Sequence, residues 1–372
     1  MKKILASVLM VLIGIVIILS CNQYRTTISD IFVRPTEKEI YLRQFEGDSV
    51  FLSKWYTIYL TAKDDSLQVD LPYQEHINVS DSSFIALSYL FRIEEGTSLS
   101  LTVSPKDSLQ KVFYSIYDSD DVENPIEEGF FQQRKNTTTF ESNGKYKIVL
   151  QPMVKKETYF DIALEPKSNY KFPVADSDNK AIQSFWAAPR DGGKRSHQGI
   201  DIFAKLGTPV IAATSGYITY TGEKGLGGKQ VWLRDGILGN SLYYAHLDSI
   251  NEALGYKVKQ GDTLGFVGNT GNARTTSPHL HFGIYKSRKG AVDPLEYIKL
   301  REKLVSESNI SLQDSYSIRS KANVRLGPST SYNKKVTLNK TDSIKVIGKT
   351  KDWFRIIAKD SIQGFIHKSL IK

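Results

Sequence analysis

The sequence predicts an all-β, multidomain protein, and three observations lead to this fold class. Short apolar runs rich in β-branched and aromatic residues recur along the chain, and turn residues such as glycine, asparagine and aspartate separate them. No long amphipathic helical pattern interrupts these runs in the central part. The chain has 372 residues, 40% hydrophobic and 24% charged, which suits two or three globular domains and excludes large-scale disorder. We therefore predict an N-terminal β-sandwich, a central antiparallel β domain and a small C-terminal β-barrel.

The first 21 residues have the pattern of an export signal. Residues 1–20 start with Met1-Lys-Lys, continue as an apolar run and end directly before Cys21, the only cysteine of the chain. This pattern resembles a bacterial lipoprotein signal, which implies lipidation of Cys21. An uncleaved transmembrane anchor is the alternative, because the apolar run is close to the lower limit of about 17 residues for a span. In both cases we expect the folded part to be extracytoplasmic and tethered to a membrane. We favour a lipid anchor in the outer membrane, on the periplasmic face.

The next segments are interpreted as a tether followed by a β-sandwich. Residues 21–40 show no clear periodicity, which is typical of a tether, and residues 41–166 carry the predicted sandwich. Strand-length apolar patterns occur at residues 57–62, 98–103, 111–117, 145–150 and 159–164. Their order resembles jelly-roll domains. Carbohydrate binding, protein binding and simple spacing remain open as functions of this unit.

Histidines and one aspartate mark the centre of the chain as a candidate metal site. His279 and His281 lie two residues apart in an apolar run, so on a strand they point to the same face. His197 and Asp201 lie four apart and also share a face, and His246 follows Tyr244-Ala. A catalytic zinc ion needs three protein ligands and one open position for water. Two histidines and a carboxylate would meet that need.

The distribution of histidines favours this interpretation over chance. A lone histidine on a strand is more often a packed or exposed residue than a ligand. Here, however, four of the six histidines fall within the 85 residues from His197 to His281. The other two, His76 and His367, lie in unrelated segments without a ligand partner at suitable spacing. We interpret both as ordinary structural or surface residues.

Residues 172–298 resemble the lysostaphin-type (LytM-domain) zinc metallopeptidases that cut cell-wall peptides. The match rests on four segments: His197-Gln-Gly-Ile-Asp201, Gly207-Thr-Pro-Val-Ile-Ala-Ala, Tyr244-Ala-His246-Leu247 and Ser277-Pro-His279-Leu-His281-Phe. The resemblance implies an antiparallel β peptidase domain. The sequence departs from the family pattern at Ser277 and Gly283. These two departures leave the substrate preference open.

The resemblance also implies a role for each site residue. His197, Asp201 and His281 would bind Zn²⁺. His279 would act as the general base, and His246 would orient the reactants or stabilise the tetrahedral intermediate. These roles agree with the chemistry of peptide hydrolysis, which needs a neutral imidazole to take a proton from water and a donor or metal for the developing oxyanion.

The last residues predict a third unit, which carries the excess positive charge. Residues 299–314 are polar and are interpreted as a linker, and residues 315–372 resemble the bacterial SH3-like wall-targeting domain. Residues 313–372 contain 13 lysines and arginines against four acidic residues, and this excess of nine equals the net charge of the whole chain. Such a module would be attracted to an anionic wall polymer or membrane surface. A solvated basic face without a partner is the alternative, and export excludes nucleic acid as a partner.

These observations predict a zinc endopeptidase that hydrolyses peptide cross-links of bacterial peptidoglycan, with stem peptides as its substrate. Two other classes remain open. A catalytically silent activator of a cell-wall amidase would be favoured by loss of a ligand, and all five site positions are kept. A wall-binding scaffold would bind wall without cleaving it. A peptidase that acts on proteins is a further alternative within the enzyme class.

Overall fold

The computed structural model describes residues 35–372 except 80–82, 106, 108, 133–134, 140–142, 156, 252–254, 303, 305–311, 313–315 and 360–361. The predicted multidomain β fold is confirmed. Cys21 and the predicted export signal lie outside the described residues. Within the described part of the chain, no helix is long and apolar enough to cross a membrane.

The N-terminal unit is a sandwich of two antiparallel sheets. Its strands are β1 (Tyr73–Val79), β2 (Leu87–Ile93), β3 (Thr97–Pro105), β4 (Val112–Asp118), β5 (Glu127–Phe131), β6 (Lys135–Thr139), β7 (Gly144–Pro152) and β8 (Thr158–Ser168). One sheet has the order β2-β7-β4-β5, and the other contains β1-β8-β3-β6. Alternating side chains of both sheets meet in one core that includes Tyr89, Ile148 and Leu164. In β1 and β8 buried and partly exposed residues alternate, which is the signature of strands with one buried face.

Two helices at the start of this unit correct the prediction from sequence. Helix α1 (Glu37–Arg43) begins within the segment 21–40 that we interpreted as a tether. The side chain of Thr36 accepts a hydrogen bond from the backbone of Glu39, and the Glu39 carboxylate accepts one from the Thr36 backbone. This reciprocal capping box starts a helix at residue 37.

The predicted strand at residues 57–62 is wrong, because these residues lie in helix α2 (Ser49–Asp64). Its apolar residues at positions 55, 58, 59 and 62 recur at helical spacing, although the segment is rich in β-branched and aromatic residues. Trp55 and Ala62 lie on this apolar face of the helix and are buried. Ala62 packs with Val149 and Tyr117 against the four-stranded sheet. Packing against the sheet therefore decides the structure where local composition is ambiguous.

The central unit is a curved antiparallel β domain with one short helix. Its strands are β9 (Ile182–Ser184), β10 (Pro189–Arg190), β11 (Arg195–Ser196), β12 (Ile200–Phe203), β13 (Pro209–Ile211), β14 (Gly216–Glu223), β15 (Lys229–Asp235), β16 (Ser241–Ile250), β17 (Lys257–Val258), β18 (Thr263–Val267), β19 (His279–Lys286) and β20 (Gly290–Val292), and its helix is α3 (Leu295–Ile298). The main sheet has the order β17-β14-β15-β16-β19-β12-β9. Its core includes Ile202, Leu242, Tyr244 and Phe282.

The C-terminal unit is joined edge to edge with the sandwich, which the sequence analysis did not anticipate. Its strands are β21 (Lys321–Arg325), β22 (Lys334–Asn339), β23 (Ile344–Thr350), β24 (Trp353–Ala358) and β25 (Ile362–His367). The sheet order is β22-β21-β25-β24-β23-β1-β8-β3-β6, so β23 pairs with β1 and continues the sandwich sheet. We call this junction the seam. The two outer units of the chain therefore share one nine-stranded sheet.

The turn between β2 and β3 docks the sandwich on the central domain. Gly96 has φ +88°, and a Cβ there would lie 2.4 Å from the ring of Tyr297. Beside it, Lys286 at the end of β19 pairs with Glu95 at 2.6 Å. The Tyr170 ring stacks on Tyr297 with centroids 5.4 Å apart. Since β19 also carries two of the predicted site histidines, the sandwich supports the strand that builds the site.

Candidate metal centre

Three neighbouring strands bring the predicted ligands together. Strands β12 and β19 pair so that Asp201 lies directly opposite His281. Strand β16 flanks β19 on the other side, with Ala245 opposite His281. His197 enters just before β12, and Gly199 lets it approach, since a Cβ at Gly199 would lie 2.8 Å from the His281 ring. The histidine and aspartate motifs therefore converge through strand register.

The ligand atoms of His197, Asp201 and His281 form a tight triangle. His197 Nε2 lies 3.0 Å from Asp201 Oδ1 and 3.0 Å from His281 Nδ1, and His281 Nδ1 lies 3.0 Å from Asp201 Oδ1. Bonds of about 2.0–2.2 Å to one tetrahedral ion would place ligand atoms roughly 3.4 Å apart. Two imidazole nitrogens and one carboxylate oxygen are also a donor set that suits zinc. The residues present therefore fit a zinc ion.

Outer contacts fix which atoms face the centre of this triangle. His197 Nδ1 lies 2.9 Å from the Phe185 carbonyl oxygen, so Nδ1 carries the proton and Nε2 offers its lone pair. Burial acts to raise the pKa of the Asp201 carboxyl, but the neighbouring His197 and His281 rings outweigh it and hold that pKa well below its usual range. Burial lowers the pKa of His281, and the nearby His197 and His279 lower it further. These shifts favour the carboxylate of Asp201 and the neutral ring of His281, which are the protonation states that a metal requires of such ligands.

His279 and His246 lie beside the triangle and face each other. Their ring centroids are 5.1 Å apart, and the His246 and His281 centroids are 5.9 Å apart. His279 Nδ1 donates to the Ser277 carbonyl at 2.8 Å, and His246 Nδ1 donates to the Thr270 carbonyl at 2.9 Å. In the neutral form of each ring, Nε2 is then the nitrogen without a proton. Burial, followed by the charges of His281 and His279, lowers the pKa of His246 to about 4, so His246 is neutral at neutral pH.

The backbone of His246 is held in a conformation that non-glycine residues seldom adopt. Its φ is +61° in strand β16. Left-handed geometry costs a non-glycine residue about 1–3 kcal/mol and persists where surrounding structure enforces it. Here the register of β16 shifts between Leu247 and Ser249 where it pairs with β18. The unusual backbone conformation therefore lies next to an irregular part of the sheet, and the His246 ring lies 5.9 Å from that of His281.

An open cleft of about 720 Å³ contains these five side chains. One wall includes Asn272 and Thr276, which belong to the polar loop before β19, and Leu226 of the glycine turn after β14. Tyr243 and Tyr285 line it as well. All four histidines of the central domain are among the residues that line the cleft.

The remaining histidines lie away from this cleft. His76 on β1 pairs with Asp161 on β8 at 2.7 Å, and His367 bonds Ser369 at 2.8 Å. Both have local structural partners, as ordinary residues do.

Sequence reasoning missed Arg190, which lines the same cleft and contacts the site through Asp201. Its Nη2 donates to Asp201 Oδ2 at 2.7 Å. No motif points to it, because an arginine before a glycine turn is common. Its proximity to Asp201 depends on the hairpin of β10 and β11.

Fold and site together define a class: an antiparallel β domain with a histidine and aspartate cluster in an open cleft that could hold a metal ion. Comparison with known proteins then gives the family. Residues 195–294 match the model described as peptidase family M23, and residues 320–372 match that described as bacterial SH3 domain. The chain thus contains a peptidase family M23 domain and a C-terminal bacterial SH3 domain.

Relatives with assigned activities match the same central part. The chain is 32% identical over 145 residues to the L-Ala–D-Glu endopeptidase of Bacillus subtilis (strain 168), covering 36% of this chain and 44% of that protein. It is 47% identical over 88 residues to the DD-carboxypeptidase/endopeptidase Mpg of Neisseria meningitidis, covering 24% of this chain and 20% of that protein. The chain thus spans less than half the length of these relatives. Among solved structures, the catalytic domain of lysostaphin from Staphylococcus simulans is 35% identical, with 30% of this chain and 85% of that chain covered and a TM-score of 0.26.

Proposed function

We propose that this protein is a zinc-dependent endopeptidase that hydrolyses peptide cross-links of bacterial peptidoglycan. The observation that carries the proposal is the convergence of His197, Asp201 and His281 in an open cleft beside two further imidazoles, those of His246 and His279. The M23 domain and the names of its relatives support this substrate class. Those names refer to different bonds, so the bond cut by this chain is left to experiment.

The residues divide the chemistry between them. His197, Asp201 and His281 would hold zinc, which would polarise water and the scissile carbonyl when bound. His279 Nε2 accepts a proton from the attacking water as its oxygen bonds to the carbonyl carbon. His246 Nε2 accepts a hydrogen bond from the same water and orients it, since its Nδ1 proton is committed to Thr270. The carbon–nitrogen bond then breaks, and His279 returns the proton to the leaving amine.

The flanking units support the proposal that this activity is directed to the cell wall. The SH3 domain carries the excess positive charge of the chain and would bind anionic wall polymer. The signal-like residues 1–20 and Cys21 support a lipid anchor that keeps the enzyme extracytoplasmic, on the periplasmic face of an outer membrane.

Product analysis tests this function. Purified peptidoglycan is incubated with residues 22–372, as wild type and as His281→Ala, each with and without a zinc chelator, and soluble products are identified by mass spectrometry. We expect new free amino groups at cross-links, absent with the variant and with chelator. If zinc-loaded wild-type protein releases nothing, the endopeptidase is refuted and an activator of another hydrolase takes its place. Wall binding without cleavage would favour a scaffold.

A further inference from the structure

Arg190 lines the cleft beside the candidate metal centre and contacts Asp201. Its side chain is 31% exposed and that of Asp201 is 11% exposed, so their contact is partly shielded from solvent. One nitrogen, Nη2, lies 2.7 Å from Asp201 Oδ2 and 2.5 Å from Ser184 Oγ. The carboxylate therefore has one oxygen bound by arginine and the other, Oδ1, in the ligand triangle.

The hydrogens of this nitrogen are fully used by these two acceptors. Nη2 carries two N–H groups, which donate to Asp201 and Ser184. Nη2 also lies 3.0 Å from His197 Nδ1, but that atom donates its own proton to the Phe185 carbonyl. The contact with His197 is therefore a close approach, and the directed interactions of Arg190 are with Asp201 and Ser184.

The backbone sets this geometry at two places. Ser184 on β9 lies directly opposite Asp201 on β12, so both acceptors of Arg190 are held by one strand pair. Arg190 itself lies on β10, opposite Arg195 on β11. Arg195 also pairs with Asp191 at 2.5 Å, but their side chains are 44% and 56% exposed, so water screens this pair and the hairpin does not depend on it. A short hairpin thus delivers the guanidinium to the carboxylate.

We propose that Arg190 is a positioning residue that keeps Asp201 a one-oxygen metal ligand. The inference rests on the zinc site of the proposed function. A carboxylate can bind a metal through one or both oxygens, and a charged donor on Oδ2 favours the first mode. One-oxygen binding leaves a coordination position free for water and substrate. Without Arg190, Oδ2 can turn toward the metal and occupy that position.

Metal binding and coordination number test the role of Arg190. Wild type, Arg190→Met and Arg190→Lys are prepared as residues 22–372, and Arg195→Met is the matched control from the opposite strand of the same hairpin. Zinc affinity is measured by competition with a chromogenic chelator. Cobalt(II) replaces zinc for absorption spectra, because four-coordinate cobalt absorbs visible light more strongly than five-coordinate cobalt.

We expect Arg190→Met to lower zinc affinity by about 10–100-fold, the usual range for loss of an outer contact to a ligand. Its cobalt spectrum should weaken toward that of a five-coordinate ion. Arg190→Lys keeps a positive charge near Oδ2 and should recover part of the affinity, and Arg195→Met should match wild type in both measurements.

Each result separates the inference from the proposed function. Wild-type protein that binds no zinc would overturn both. Wild type that binds zinc, with Arg190→Met equal in affinity and spectrum, would overturn only the positioning role. Equal losses in Arg190→Met and Arg195→Met would assign the effect to the hairpin fold and also reject the inference.

Discussion

Two arginine–carboxylate pairs in this molecule share their chemistry and differ in what surrounds them. Arg190 meets Asp201 at the edge of an open cleft, and one carboxylate oxygen remains directed at neighbouring imidazoles. Arg355 meets Glu75 at the seam with their charged atoms 3.2 Å apart, and both side chains are completely buried. In the first pair, Asp201 Oδ1 remains available to the cleft, whereas both charges of the second pair are enclosed by protein.

The seam pair is surrounded by partners from both outer units. Tyr89 donates to Glu75 Oε2 at 2.6 Å, and Arg355 donates to the Ser88 carbonyl at 2.9 Å. The guanidinium also lies over the rings of Tyr89 and Phe365, with its carbon 4.6 and 5.0 Å from their centroids. A buried pair of this kind adds little net stability over an apolar replacement, yet removal of one partner strands a charge. An arginine–carboxylate pair can therefore leave a carboxylate oxygen available to a cleft, as at Asp201, or hold two domains together, as at Glu75, depending on its access to solvent.

Breaking the seam pair should have the largest effect. Arg355→Met leaves the Glu75 carboxylate buried without its counter-charge, and we expect a loss of about 3–5 kcal/mol in unfolding free energy. Urea unfolding followed by tryptophan fluorescence measures it, since Trp353 lies on β24. The double variant Glu75→Leu with Arg355→Met should recover most of the loss. A double variant as unstable as the single one would contradict the stranded-charge explanation.

Zinc should stabilise the central domain by a smaller amount. At a free concentration 100 times the dissociation constant, binding adds about 2.7 kcal/mol. Hydrogen exchange of the amides in β12 and β19 measures this locally. The gain should vanish in Asp201→Asn and persist in Arg355→Met. If the seam variant also abolishes the gain, the two regions are coupled and our separation of them fails.

A change at the docking turn should have a smaller effect. Gly96→Ala places a methyl group 2.4 Å from the Tyr297 ring and strains a backbone at φ +88°, so we expect about 1–3 kcal/mol of local destabilisation. Limited proteolysis between the sandwich and the central domain should quicken, while zinc affinity stays within a few-fold of wild type. Unchanged proteolysis would mean that the turn does not hold the domains together.

An exposed pair provides the smallest effect. Lys368 and Asp352 lie 2.8 Å apart with side chains 58% and 59% exposed. Lys368→Met should leave the urea midpoint unchanged within error, because water screens the pair. A clear shift of the urea midpoint would contradict our argument that solvent exposure decides how much an ion pair of this protein contributes to stability.

The sequence predicted those parts of the site that depend on short spacing. His279 and His281 share a strand face, and His197 and Asp201 fall in one motif, so local pattern was sufficient. Arg190 was missed because its role depends on the pairing of β9 with β12. The catalytic roles of His279 and His246 and the anchor at Cys21 stay predictions.

The all-β fold class was predicted correctly, but the pairing of β1 with β23 across the seam was not predicted. The sandwich strands show clear alternation, whereas residues 57–62 have strand composition at helical spacing and were assigned wrongly. The seam could not be foreseen, because Arg355 and Ser88, which meet there, are 267 positions apart. No local pattern encodes a contact over that distance.

The shared sheet also has a consequence for the order in which the chain can assemble. Strand β1 has β8 on one side and obtains its second neighbour, β23, only after the whole central domain has been synthesised. Until then its free edge offers unpaired backbone groups to any other extended strand. A chain interrupted before residue 344 would retain that edge, so synthesis of β23 protects the first domain from misassociation.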